Sequence, residues 1–339
     1  MATKRDEGGS EAAFSNLSAR PSSLLEAAVK AKNARCQAVL GDILEAGAAG
    51  VRSASVIEAA RSLAGGYLRL PRRAQAIKLP VVALGAVAAR GLVDRDINGG
   101  FTTSSETGLA RGPFIVRNLR VGEIPTWPML WAHFADGERR FVVLPDSCGD
   151  PRPNDRARAV ERWNRGASRL HANRDFRLNS QSLAMCLTPE ECLGGRAWPN
   201  LIPHEPRFEV PLLLWANSTL GLVLFWWHGT RQQQGRASIT VAKLTGLPVL
   251  DPRELTAGQL DRCREIFDSI KDREFLPANE AYRDETREAL DRELLFGTAS
   301  VMRLDPGLEE GLGLLRKQWC AEPSVHGGKS TRIVQPSVP

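Results

Sequence analysis

The sequence predicts an α+β fold: a mixed globular domain of strands and helices, flanked by N-terminal and C-terminal helices. Three observations predict it. Helical patterning occupies residues 23–68 and 254–296, near the two ends. Short β-prone runs, broken by Gly, Pro, Ser and Thr, lie between them. One strongly apolar run, Leu212 to Trp227, supplies a helix fit for a core. At 339 residues, with 42% hydrophobic and 25% charged residues, the chain is long enough for one large or two modest domains of ordinary globular composition.

The elements follow in order. Residues 1–22 are small, polar and charged and read as a disordered tail. Residues 23–70 form an N-terminal helical segment, with Ser22 or Ser23 capping the first helix, Ser53 the second, and Gly65-Gly66 ending it. A mixed domain is expected over 71–252. In it, Ala76 to Gly91 reads as a short strand, a turn and a short helix, and residues 92–113 as an exposed loop. Phe114 to Val121 and Arg140 to Leu144 read as strands, while Ile124 to Trp131, with two prolines and two tryptophans, reads as irregular. Residues 154–170 are expected to be a helix with a basic face, and Phe176 to Met185 a strand or extended segment. After the apolar run comes a polar loop, Gly229 to Arg236, then β-prone Ser238 to Val241 and a Leu247-Pro248 exit. A C-terminal helical segment covers 253–300, with helices at 254–273 and 279–296, and 301–339 reads as a short helix and flexible tail. No internal repeat is visible.

Composition bounds the function. A net charge of +6 and an arginine-rich cation set suit an anionic partner. The six cysteines show no CxxC pair, and Cys186 and Cys192, the closest two, have poor zinc spacing. They read as reduced thiols of a cytoplasmic protein. The N-terminus carries no secretory h-region, and the apolar run is interrupted by Asn217, Ser218 and Thr219 and is short for a membrane span, so no membrane role is expected.

Two polar constellations stand out. Gly229 to Arg236 sets Arg231, Gln232, Gln233, Gln234 and Arg236 between flexible glycines, and arginine and glutamine are the side chains that bond guanine and adenine edges bidentately. Residues 169–182 offer Asn173, Arg174, Arg177, Asn179 and Gln181 for phosphates or bases, and Arg162 and Arg169 extend the positive stretch upstream. The bland alternatives are a solvated connection and a charged helix face followed by a buried polar turn. Trp127, Trp131, Trp198, Trp215, Trp226 and Trp227 can stack on bases, but on the apolar run tryptophans are core. His171 reads as structural.

Catalytic signatures are missing. There is no NPPY, NPPF or DPPY motif, no glycine-rich turn for S-adenosylmethionine and no GxxxxGK[ST]. Pro145-Asp146 has no convincing acidic-x-Lys partner, and His133, His171 and His204 form no metal pair. The sequence gives no catalytic, cofactor-binding or metal residue, and the enzyme question leans to no.

Three residue patterns carry a family resemblance. They are Leu79 to Ala88, LPVVALGAVA; Leu213 to Leu220, LLWANSTL, with the polar loop and Leu247-Pro248-Val249 behind it; and the helices from Gln259 to Phe296, with their Ala289 to Leu295 end. Together, over roughly residues 75–300, they resemble the target-recognition and C-terminal region of restriction-modification N6-adenine DNA methyltransferases, and more weakly the specificity subunits of type I systems. The methyl-transfer residues have no counterpart. The resemblance implies a target-recognition-like domain that reads double-stranded DNA beside a methyltransferase or nuclease subunit, in restriction-modification or phage defence, or a fragment of such an enzyme. S-adenosylmethionine would then be bound by that partner. The rivals are a diverged methyltransferase-related enzyme and a non-catalytic scaffold of a defence complex.

Overall fold

A computed structural model describes residues 56–71, 73, 75–98, 112–132, 137–232 and 236–326. The chain divides into two units, residues 1–53 with 72–74 and residues 54–71 with 75–339; Arg73 aside, the described residues belong to the second. The expected tails, the helix over 23–55 with its serine caps, most of the 92–113 loop, Cys36, His133, Gln233 and Gln234 lie outside the described residues.

The architecture is α+β. In chain order the elements are α1 (Val56–Ala64), β1 (Tyr67–Leu68), β2 (Ile77–Lys78), β3 (Val81–Ala83), β4 (Ala88–Arg90), α2 (Asp94–Ile97), β5 (Phe114–Asn118), β6 (Pro128–Leu130) and β7 (Ser147–Pro151). They continue with α3 (Arg156–Gly166), β8 (Ser168–Ala172), β9 (Asp175–Arg177), β10 (Met185–Gly194), β11 (Asn200–Pro203), α4 (Glu209–Asn217), α5 (Thr219–His228), β12 (Thr230–Gln232) and β13 (Arg236–Ser238). The last are α6 (Val241–Leu244), β14 (Pro248–Leu250), α7 (Ala257–Ile270), α8 (Glu285–Leu295), α9 (Glu309–Ala321) and α10 (Pro323–His326).

A seven-stranded sheet runs in the order β4-β11-β8-β10-β6-β7-β5. It is antiparallel except where β10 meets β6. β10 spans its middle and carries a bulge: Leu187 pairs with Leu170 but Cys192 already with Ser168, so the extra residues between them loop out. A three-stranded antiparallel sheet, β12-β13-β9, and the pairs β14–β3 and β1–β2 complete the strands.

The apolar run is the centre of the core, but it is two helices. α4 and α5 meet at Ser218 with a bend of 80°. The bend has a local cause. Ser218 is extended, ends α4 and caps α5 by accepting from the Gly221 amide. Gly221 is obligatory there, because a Cβ would stand 1.9 Å from the Trp215 carbonyl oxygen. Asn217 ties the break to the sheet, its Oδ1 accepting from the Ala184 amide at 2.9 Å and its Nδ2 donating to the Met185 carbonyl at 2.8 Å. Both helices are buried on all sides, which explains the absence of an amphipathic pattern. No single helix among the described residues is long and apolar enough to cross a membrane.

α4 packs on β10, β14, α7 and α8, and α5 on α1 and α9. A buried charge network joins the last helices to the break. The fully buried Arg287 donates to Asp284 at 2.8 Å, to the Asn217 carbonyl at 3.1 Å and to the Ser182 carbonyl at 2.7 Å. Asp291, also buried, accepts from the Thr219 amide at 2.8 Å and pairs with Arg316 at 3.5 Å. Burial pushes the Asp291 carboxyl up, against the pull of Arg316 and Thr219.

Several sequence expectations need correction. Arg140 to Leu144 is no strand, only a single bridge from Val142 to Leu187. The stretch read as irregular contains β6, where Pro128 opens the strand. Ala76 to Gly91 is strands around a 3-10 turn at Leu84–Ala86, and residues 154–170 hold α3 and then strand β8. In each case hydrogen bonds to distant strands decided the outcome over local propensity. The C-terminal helices α7 and α8 lie within the expected stretches 254–273 and 279–296. Thr256 and Gln259 form a reciprocal capping box on α7, and Asp284 caps α8.

Candidate nucleic-acid interface

The polar loop expected at Gly229 to Arg236 is a hairpin. Its strands β12 and β13 pair with each other and β13 pairs with β9, so two polar segments far apart in sequence meet in one small sheet. The register has three rows. Gln232 stands opposite Arg236, which stands opposite Arg177; Arg231 is opposite Ala237 and Phe176; Thr230 is opposite Ser238 and Asp175. Ala237 and Phe176 are fully buried, and Phe176 packs edge-on against Phe225 of α5 with ring centroids 5.4 Å apart. The middle row therefore seats the sheet on the core. In the outer rows Arg177 and Thr230 are exposed and Asp175 and Ser238 half-buried. Arg177 has no side-chain partner among the described residues, and two arginine positions directly opposed across an antiparallel pair repel unless an anion lies between them.

Other sequence-selected residues fare differently. Asn173 and Gln181 are buried and bind each other. Asn173 Nδ2 donates to Gln181 Oε1 at 3.3 Å and to the Leu183 carbonyl at 3.1 Å, while Gln181 Oε1 accepts from the Arg177 amide at 2.6 Å. They form the turn that aims β9 and do not reach solvent, which corrects their reading as contact residues. Asn179 is half-buried, and Arg174 is half-buried just ahead of β9. Arg169 donates to the Thr188 carbonyl at 3.2 Å and pairs with Glu209 at 3.6 Å. Of the side chains at 231–236 nothing beyond register is described.

Helix α3 is a second basic element. It lies on β5–β7 through a small aromatic core in which Trp127 meets Trp163 at 5.5 Å, edge to face, and Phe114 at 5.2 Å. Arg156 and Arg165 are exposed; Arg158 pairs with Asp155 at 2.8 Å, and Arg162 is half-buried, 4.0 Å from Glu161. Trp163 and Arg165 were not singled out as a pair by sequence, although the i, i+2 placement of a bulky apolar anchor and an exposed cation on a helix carries that signal.

One buried cluster looks nucleophilic and is sealed. His171 Nε2 lies 3.3 Å from Cys192 Sγ and 3.5 Å from Thr188 Oγ1, and Nδ1 lies 3.2 Å from the Trp198 carbonyl. Burial pushes the thiol up to about 12 and the imidazole down to about 4, so both are neutral and no solvent reaches them. This gives a pH prediction. An unfolded histidine titrates near 6.5, so between about pH 4 and 6.5 the unfolded chain binds the extra proton and folding loses support as pH falls. The contribution is complete above about pH 6.5 and amounts to roughly 3 kcal/mol. Urea unfolding at about pH 7 and about pH 4.5 should show the loss, and His171→Asn should flatten that slope; an unchanged slope would assign the acid sensitivity to other groups. Among the described residues no group of three or more His, Cys, Asp or Glu is placed to hold a metal ion.

No protein-family model matches the chain, and no curated protein matches it. Two solved structures are similar to it in part. One is the type IIG restriction endonuclease BpuSI, at TM-score 0.37 and 9% identity, covering 61% of this chain and 30% of that one. The other is the HsdS subunit from Thermoanaerobacter tengcongensis, at TM-score 0.30 and 15% identity, covering 89% and 57%. The chain thus spans less than two thirds of either neighbour.

Proposed function

We propose that this chain is the DNA-recognition component of a restriction-modification or phage-defence assembly, with a separate methyltransferase or nuclease subunit supplying the chemistry and binding S-adenosylmethionine where methyl transfer is involved. The observation that carries the reading is the row Gln232–Arg236–Arg177 across the three-stranded sheet. A short antiparallel ribbon fits the major groove, and one row of glutamine and arginine offers both an adenine-type and a guanine-type reader. Exposed Arg156 and Arg165 of α3 supply phosphate contacts that position the duplex without reading it. In this reading the row Gln232–Arg236–Arg177 supplies the main base contacts, with Arg231 one register step away.

Selection of the purified chain on a random duplex library at two salt concentrations tests this. An enriched motif that persists at the higher salt is the expected result; salt-labile binding without enrichment would leave only a basic surface. Arg177→Ala and Arg236→Ala should each relax preference at one position by about 1–3 kcal/mol. Arg156→Ala and Arg165→Ala should weaken all duplexes alike and lower the salt slope by about one each. Equal effects of the two pairs on motif and non-motif duplexes would reject the division of roles.

A further inference from the structure

We propose that Asp175 is a further specificity-determining residue, a carboxylate that accepts from the exocyclic amine of a cytosine in the major groove, an inference that rests on the DNA-recognition reading. Successive side chains of β9 alternate between the two faces of the small sheet. Phe176 is fully buried on the core face. Asp175 and Arg177 therefore share the opposite face, Asp175 half-buried and Arg177 exposed. The same alternation puts Ser238 and Thr230, which stand in register with Asp175, on that face. The outer face thus carries two rows, one led by arginine and one by a carboxylate.

Two features single out the carboxylate. Its side chain has no hydrogen bond or ion pair among the described residues, although Arg177 lies two residues away on the same face. Both charges are therefore available to a ligand. The second feature is its sign. A surface built to hold phosphates alone carries cations, and a carboxylate set among them repels phosphate. The phosphates and deoxyriboses of a duplex offer a carboxylate no donor, so only a base edge can satisfy it.

Groove width and base chemistry then select the partner. The minor groove, about 6 Å wide, is too narrow for a β-ribbon, whereas the major groove, about 12 Å wide, admits one. The donors there are the cytosine 4-amino and adenine 6-amino groups. A carboxylate, which only accepts, distinguishes them. The adenine amine lies between two acceptors, its own N7 and the thymine O4, whereas the cytosine amine has an acceptor on one side only, the guanine O6. Repulsion from the second acceptor makes cytosine the better partner. Arg177 offers the opposite chemistry, two donors for a guanine. The two residues stand about 6.7 Å apart along the strand, close to two base-pair steps, so one short strand reads two separate pairs.

Selection on a random duplex library tests this, run in parallel on the unaltered full chain, Asp175→Asn and Arg177→Ala. The unaltered chain is expected to prefer cytosine at a position distinct from the one that Arg177→Ala relaxes. Asp175→Asn, nearly isosteric, should move that position to adenine, because an amide matches the adenine N6 and N7 together. Competition between the cytosine and adenine duplexes should show the preference change by about 5- to 150-fold. A duplex carrying 2-pyrimidinone, which lacks the amine, at that position should bind the unaltered chain at least about fivefold more weakly, a readout that needs no variant. Undiminished binding of that duplex, or an Asp175→Asn motif that is unchanged or altered only where Arg177 acts, would overturn the assignment and leave DNA recognition standing. A uniform gain of Asp175→Asn on every duplex would do the same and make Asp175 a repulsive charge only. No enriched motif for the unaltered chain would remove DNA recognition itself, and the assignment with it.

Discussion

Arg287→Met is expected to destabilise the protein by about 3–5 kcal/mol, the range for removing one partner of a buried ion pair. The guanidinium is fully buried and holds three separate parts of the chain, Asp284 at the start of α8, the carbonyl of Asn217 at the helix break and the carbonyl of Ser182 ahead of β10. Methionine fills most of the volume but leaves two carbonyls and a carboxylate facing a hydrophobic wall that includes Phe275, whose ring lies 5.2 Å from the guanidinium carbon. Burial lowers the affinity of this guanidinium for its proton, with Asp284 acting against the shift. Arg287→Lys should recover only part of the loss, since an ammonium cannot serve the planar fork. The midpoint of urea unfolding reads both changes; a loss below about 1 kcal/mol for the methionine variant would mean the network is not shared among these elements.

Gly221→Ala is the second large effect, about 3 kcal/mol or more, because the strain cannot relax through side chains. The new Cβ would meet the Trp215 carbonyl at 1.9 Å and Ala216 Cα at 2.7 Å, all backbone of the preceding helix. Alanine normally favours a helix over glycine, so a gain in stability at this position would refute the tight elbow. The consequence reaches the candidate interface. α5 ends at His228, two residues before β12, and its Phe225 supports Phe176 under the three-stranded sheet. A displaced α5 should therefore lower duplex affinity in Gly221→Ala even under conditions where most of the protein is folded, whereas Arg287→Met should act on stability alone.

What was legible in sequence depended on signals that act over a few residues. α7 and α8 were legible as helical patterning over 254–273 and 279–296, and their starts are local too, since Thr256 and Asp284 accept from amides two or three residues on. Gly65-Gly66 ends α1 for the same local reason, with Gly66 at φ +82°. The apolar run declared itself as core, since nothing else accommodates that density of Leu, Phe and Trp. The α+β class followed from the alternation of such helices with short β-prone runs.

Tertiary structure decided the rest. Whether residues 230–232 and 236–238 form strands depended on β9, some sixty residues earlier than β13, offering its edge, and no local signal encodes that pairing. The same pairing turned Arg177 from one member of a polar stretch into the neighbour of Arg236, and it sent Asn173 and Gln181 inward, where their amides close the turn that sets β9. The break at Ser218 needed both the sheet contacts of Asn217 and the carboxylate of Asp291 to stabilise the ends of two helices inside a core. Sequence alone determined the helical stretches of α1, α7 and α8, the class of fold and the supply of arginine and glutamine. Long-range pairing determined which of those side chains share a surface, because hydrogen bonds between distant strands outweigh the small local preferences that a sequence displays.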